Sequence, residues 1–401
     1  MATYVYCGMW GEHGGNDGLW VHPYDTSTGA LGAGRQVDAE IRTSNCYVDQ
    51  ERALLYMVDE VDQAFDKDAG IGSGGGGGNV WVWQVDAVTG ELTLKQKARS
   101  FGSNPSMFTL SPDKRYGVCS IHGAAPMSCQ TEQDGDGSWR IVPGFADAPL
   151  VLFRMNDDGT LGEVLDAYMA QGAVLSHMHS CTWAPSGTFF VANDKGTGAI
   201  SSVRITPDEK LELVGSPYQA GADDKPRYVR FHPTKPWCYV NYEAANRLDA
   251  FSYDDEGRLT LINSDLVVPE DRRAAVEKGW RFESQDMKIS ADGSTVYSCY
   301  RGSGDNPTGD GGREHLGGFQ GVAVYAVSQE DGSVTTVQRY EFDDLFWPRG
   351  CAISPDGKFL LVASLYSDQV ATLAIAENGT LSDTGLRAEQ DTCSSVTFYA
   401  A

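Results

Sequence analysis

The sequence is poor in positive charge, in paired cysteine motifs, in long apolar runs and in helical patterning. Lysine and arginine number 31 against 55 aspartates and glutamates, a formal net charge of 31 − 55 = −24. Such a chain repels phosphate backbones and anionic lipid over most of its surface, so neither nucleic acid nor membrane is an expected partner. No stretch approaches the roughly 20 apolar residues that span a bilayer, and Met1 to Gly8 has no basic, apolar leader pattern, so a cytoplasmic protein is expected. Nine cysteines are present and no two are spaced as CxxC; most lie within apolar segments, as at Cys46, Cys119, Cys181, Cys238, Cys299, Cys351 and Cys393. Buried free thiols are expected in place of disulfides or a zinc site. No GxSxG elbow marks a serine nucleophile. GSGGGGGN (72–79) lacks the Lys-Ser/Thr ending of a phosphate loop, and DGDGSW (134–139) and DNPTGDGG (305–312) lack EF-hand spacing. No metal or cofactor is therefore expected. Only Pro269 to Lys278 reads as helical.

What the chain has in quantity is glycine (46 residues) and apolar strand-forming sequence, with 41% hydrophobic and 10% aromatic residues. Compared with itself, it repeats one unit: an apolar strand, a tight polar turn and a second apolar strand. The clearest copies are RGCAISPDGKFLLVAS (349–364), HSCTWAPSGTFFVAN (179–193) and RYVRFHPTKPWCYVN (227–241). Weaker ones are SMFTLSPDKRYGVCS (106–120), QDMKISADGSTVYSC (285–299) and SNCYVDQERALLYMV (44–58). Each continues into a third and a fourth alternating strand, giving six complete units. TYVYCG (3–8) and GLWVHPYD (18–25) resemble the second and third strands of a unit without a first, and SSVTFYA (394–400) resembles a first strand alone. Joined, they make a seventh. The pattern predicts an all-β, seven-bladed propeller of four-stranded antiparallel blades, residues 1–401 forming one domain whose last blade is closed by strands from both ends of the chain. There are no WD dipeptides.

The register of the repeats predicts a site. The start of the first strand and the end of the second share one edge of an antiparallel blade, and all blades present that edge to one mouth of the central channel. Six residues before the turn positions stand Ser44, Ser106, His179, Arg227, Gln285 and Arg349; ten residues after them stand Glu60, His122, Lys195, Glu243, Arg301 and Leu365. A cluster of arginines, a lysine, histidines and glutamates at equivalent positions of an acidic protein marks a place for a small anionic metabolite. Long insertions near 61–79, 123–148 and 302–320, together with Met9 to Asp17, emerge at the same mouth and read as lids or as flexible segments. Five of the seven histidines (His13, His122, His177, His179, His315) map to this side; His22 and His232 read as structural.

Several of these segments, HSCTWAPSG, PRYVRFHP, VNYEAANRLDAF, SCYRG and PRGCAISPDGKFLLVAS, resemble the lactonase family of seven-bladed propellers. The family includes a bacterial 6-phosphogluconolactonase and the fungal 3-carboxy-cis,cis-muconate lactonizing enzyme. The resemblance covers nearly the whole chain and is strongest from 177 to 375. It implies catalytic roles for His179, Arg227, Glu243 and Arg301, all of them members of the two rings above. Arg349, Lys195, His177, His122, Glu60 and Gln285 are then expected to bind substrate.

The leading expectation is hydrolysis of a small anionic lactone such as 6-phosphogluconolactone. Arg227 and Arg301 would hold the carboxylate or phosphate and stabilise the oxyanion, Glu243 would act as base and His179 as acid. The alternatives are cycloisomerisation of a carboxymuconate-type diacid on the same residues, and a non-catalytic propeller that docks a ligand or protein at its mouth.

Overall fold

The computed structural model describes every residue except 1, 11–17, 62, 67–70, 75–76, 124–127, 134, 145–149, 169–175, 222, 271, 273–279, 306–312 and 316–318. Seven antiparallel sheets of four or five strands follow one another along the chain. The first blade is Thr43–Asp49, Leu54–Asp59, Asn79–Val85 and Leu92–Arg99; the second is Pro105–Leu110, Tyr116–Ile121, Leu150–Met155 and Leu161–Tyr168. The third begins with Met178–Trp183 and Phe190–Asp194, the fourth with Pro226–Phe231 and Trp237–Tyr242, the fifth with Trp280–Ile289 and Thr295–Asp305, the sixth with Pro348–Ile353 and Phe359–Ser364. The closing blade takes its innermost strand, Cys393–Ala400, from the end of the chain and pairs it with Thr3–Met9, followed by Leu19–Asp25. First strands of successive blades touch in turn around the axis, so no inner edge is left open.

The apolar faces of adjacent blades form the core. Tyr56 stacks on Phe108 at 5.2 Å between the first and second blades, and Val5, Cys7, Leu361, Ala363 and Phe398 seal the seam between the sixth and closing blades. Burying side chains of this size contributes roughly 1.5–3 kcal/mol each. A hydroxyl latch recurs across seams. Tyr6, Tyr56 and Tyr297 each donate to the carbonyl of a turn glycine in the next blade, Gly90, Gly159 and Gly379, at 2.9, 2.7 and 2.9 Å. These glycines stand at positive φ, which orients their carbonyls and is open to a residue without Cβ.

Two of the mouth insertions contain their own two-stranded hairpins, Gln63–Asp66 with Ile71–Gly74 and Ser128–Gln133 with Trp139–Gly144. In the third insertion, read from the sequence as a lid or a flexible segment, residues 302–305 continue the second strand of the fifth blade, which pairs both with Trp280–Ile289 and with Arg313–His315. Most of the segment expected to be helical, 269–278, lies outside the described residues, as do His13 and the side chain of His315. The eight described cysteines are free thiols, seven of them buried. No helix among the described residues is long and apolar enough to cross a membrane.

Candidate active site

Every innermost strand carries one extra residue relative to its partner, near its start. The shift falls at Ser44, Ser106, His179 and Arg227 in the first four blades. It falls at Gln285–Asp286 and Arg349–Gly350 in the next two, and at Ser394 in the closing blade. A bulge turns the side chain of the extra residue out of the pleat. In the third to sixth blades it aims His179, Arg227, Gln285 and Arg349 at the mouth. The residues counted six positions before the turns are these bulge residues.

The ends of the second strands return to the same level. The amides of Glu60, His122, Lys195 and Glu243 donate to the carbonyls of Arg42, Asn104, His177 and Lys225 at 2.7–3.0 Å, and that of Trp10 donates to Thr392 at 3.1 Å. Arg301 pairs with Glu283 across the fifth blade. The acceptor residues form a third tier, two positions before the bulge.

The charged side chains interlock. Glu243 receives Lys195 Nζ on one carboxylate oxygen at 2.6 Å and Arg227 Nη1 on the other. Arg301 grips Glu283 through Nε and Nη2 at 2.7 and 2.6 Å. Arg349 of the sixth blade reaches Glu60 of the first at 3.1 Å, passing over the closing blade, which brings both side chains above the channel. The central carbons of two guanidinium groups lie over indoles: Arg301 over Trp347 at 3.8 Å from the ring centroid and Arg349 over Trp10 at 4.1 Å. Four cations and three carboxylates leave the cluster at 4 − 3 = +1. This is less cationic than the sequence suggested, because Glu283 joins the site.

The histidines cluster beside the ion pairs. His122 lies 4.9 Å from His177 and 5.7 Å from His179, ring to ring. His177 Nδ1 is 2.5 Å from the carbonyl of His122, and His122 Nδ1 is 3.1 Å from that of Gly123. A carbonyl only accepts, so both Nδ1 atoms carry a proton. Burial, then the charges of Arg227 and Lys195, hold His179 well below the ordinary histidine range; burial, then Lys195, does the same to His122. Burial and Arg227 draw the Lys195 ammonium well down. Burial also pulls the Arg301 guanidinium down to about 9, against the opposing pull of Glu283.

Among the described residues, five buried polar atoms of the sequence-nominated side chains at this mouth have no hydrogen-bond partner: His179 Nδ1, Arg227 Nε, Gln285 Oε1, Arg301 Nη1 and Arg349 Nη1. They come from four consecutive blades, the third to the sixth. An orphaned buried donor costs about 1–3 kcal/mol, so five at one place mark a surface finished by a ligand or by solvent.

All ten sequence-nominated residues with charged, imidazole or amide side chains reach this mouth. Ser106 and Ser394 do not offer their hydroxyls to it. Ser106 donates to Met178 O at 3.0 Å and Ser394 to Thr43 O at 2.5 Å, which ties neighbouring inner strands together. Leu365 is fully buried. Glu283, Trp347 and Trp10 were missed. Two of them could have been found: Glu283 and Trp347 stand eight residues before the turn positions, in the same register as His177. His22 and His232 serve elsewhere. His22 bonds Gln390 Oε1 at 2.6 Å, and His232 Nδ1 accepts the amides of Thr234 and Lys235. No cluster of metal-ligating side chains occurs among the described residues.

Fold and site together define a seven-bladed β-propeller with an ionisable, solvent-reachable constellation at one mouth of its channel. The chain belongs to the seven-bladed β-propeller lactonase family, whose model matches residues 5–398. Similar proteins include a 6-phosphogluconolactonase of Bacillus subtilis, 21% identical over 91% of this chain and 89% of its own length. Another is that of Cronobacter sakazakii, 25% identical over 76% of this chain and 90% of its own. Among solved structures, a periplasmic gluconolactonase of Pseudomonas aeruginosa superposes with a TM-score of 0.79. It is 21% identical, and the match covers 100% of this chain and 99% of that one.

Proposed function

We propose that this protein hydrolyses a small sugar-acid lactone at the mouth formed by its third to sixth blades. Family membership supports the reaction class, as do the names of the relatives, 6-phosphogluconolactonase and gluconolactonase. The observation that carries the reading is the set of five orphaned polar atoms, four on guanidinium or imidazole groups, held by buried ion pairs. Arg301 Nη1 and Arg227 Nε donate to the lactone carbonyl oxygen and stabilise the oxyanion that forms when water attacks. Gln285 Oε1 accepts a hydroxyl of the sugar, and Arg349 Nη1 takes an anionic substituent.

The roles expected from the sequence change. Both oxygens of Glu243 are engaged by cations, which makes it a poor base, while His179 is held neutral and cannot begin as an acid. His179 instead takes the proton of the attacking water as the C–O bond forms. It then returns that proton to the ring oxygen as the ester bond breaks, leaving an open hydroxy acid. Glu243 fixes Arg227 and Lys195. Free thiols throughout the described core suit a reducing compartment, which supports a cytoplasmic location.

The test is hydrolysis of 6-phosphogluconolactone, gluconolactone and a panel of other lactones above the spontaneous rate. His179→Ala is expected to lower kcat/KM about 10²–10⁴-fold with melting unchanged within a few degrees. Wild-type activity in that variant sinks the assignment. Turnover of muconates without any lactone would establish the cycloisomerase in its place, and binding without turnover the docking propeller.

A further inference from the structure

Trp347 stands immediately before Pro348 at φ 72°, in the left-handed region that disfavours bulky side chains. The turn itself is architectural: Asn104, Lys225 and Thr392 occupy the same position in other blades with φ 52°, 59° and 41°. What differs is the residue. Asparagine tolerates this conformation, whereas lysine, threonine and an indole gain nothing from it locally, and only the indole is the bulky aromatic that meets a guanidinium there. Trp347 is nevertheless 1% exposed and in the contact already described, its ring 3.8 Å from the centre of the Arg301 guanidinium.

The backbone on both sides of that stack is tied by one amide. Gln320, fully buried, accepts the Trp347 N–H at 3.0 Å and donates to the carbonyl of Gly302, the residue after Arg301, at 2.5 Å. Phe346 and Tyr366 pack at the indole at 5.8 and 5.4 Å. The guanidinium is thus fixed in three directions: its central carbon by the indole, its Nε and Nη2 edge by Glu283, its backbone by Gln320. Nη1 is the atom left over, buried and without a hydrogen-bond partner among the described residues. Arg349 repeats the design with Trp10 and Glu60, again with Nη1 left over.

We propose that Trp347 is a positioning residue: clamped by Gln320 in a left-handed turn, it serves as the platform that orients Arg301 so that Nη1 faces the reacting carbonyl. The substrate in this statement rests on the lactonase reading; the platform does not. A strained conformation at a site persists when the surroundings over-determine it, and here they do so on the side of the arginine. Guanidinium stacks well on indole and poorly on an aliphatic chain.

The experiment is a double-mutant cycle of Trp347→Leu with Arg301→Lys, and Trp347→Phe as the conservative variant. On whichever lactone the wild type hydrolyses, Trp347→Leu is expected to lower kcat at least tenfold with KM within about threefold. Trp347→Phe should restore most of that loss. In the Arg301→Lys background the leucine should cost less than twofold, because the group it orients is gone. An equal fold-loss in both backgrounds, or a loss confined to KM, overturns the proposal. The four proteins are also melted. If no lactone is turned over, the functional reading fails. The cycle in melting temperature then decides the platform, non-additive shifts supporting it and additive shifts overturning it.

Discussion

A proton on His179 would sit in a buried pocket facing Arg227 and Lys195, and all three circumstances oppose it. The acid limb of kcat/KM is therefore expected well below 6.5, the ordinary histidine value. Lys195→Met removes one of the opposing charges and should move that limb upward; an unchanged limb would show that another group governs it. The same depression has a stability consequence. The folded pKa values of His122 and His179 lie below the unfolded value, so below about 6.5 the unfolded chain binds more protons than the folded one. Their contribution is fully present above that pH and is lost as the pH falls toward the folded values, at about 1.4 kcal/mol per pH unit for each group. Melting temperature should fall between pH 7 and pH 5, and His122→Gln should flatten the fall. Glu243→Gln leaves Arg227 and Lys195 facing each other with no carboxylate between them. It is expected to destabilise the fold by about 3–5 kcal/mol as well as to suppress turnover, measured by denaturant unfolding beside the kinetics.

At the scale of the strand, the inner-strand bulge is what makes the site, and it was only half legible. Counting from the turns found His179, Arg227, Gln285 and Arg349, because each sits at a fixed distance from a hydrogen-bonded turn. That the count lands on an extra, unpaired residue depends on ladder register, which no spacing encodes. The count also stopped one step short: two residues earlier it reaches Glu283 and Trp347, both of which meet Arg301. Trp10 follows no turn count, since its blade is split between the two ends of the chain. The sixth blade has a second device. Gly350 shares its bulge with Arg349, and a Cβ there would stand 2.7 Å from Ser394 O and 2.8 Å from Ser395 Cα, both main-chain atoms. Gly350→Ala should force the sixth and closing blades apart, lowering stability by about 1–3 kcal/mol. It should also displace Arg349, seen as a raised KM for a substrate bearing an anionic group.

The ring as a whole was the most legible level, because six intact copies and one split copy of a unit leave few other ways to bury their apolar faces. Its charge was legible too, though not the charge of the mouth. A −24 molecule repels an anionic lactone at distance while the +1 cluster attracts it at contact. Raising salt from about 10 to 150 mM shortens the Debye length from about 30 to 8 Å and screens the first effect more than the second. For 6-phosphogluconolactone, kcat/KM should accordingly rise with salt, and for uncharged gluconolactone it should stay flat. A fall for the phosphorylated substrate would mean that the mouth, not the molecule, sets the field.

Ser106 and Ser394 stand where His179, Arg227, Gln285 and Arg349 stand in other blades, but their hydroxyls are committed to the backbone of the next strand. The two kinds of bulge residue divide the rotor into blades whose bulge ties neighbouring inner strands together and blades whose bulge faces the mouth. The second kind occupies consecutive blades, from His179 in the third to Arg349 in the sixth, with Glu60, His122 and Trp10 reaching in from the others. Exchanging that stretch between related rings should transfer substrate preference while the serine half continues to close the circle.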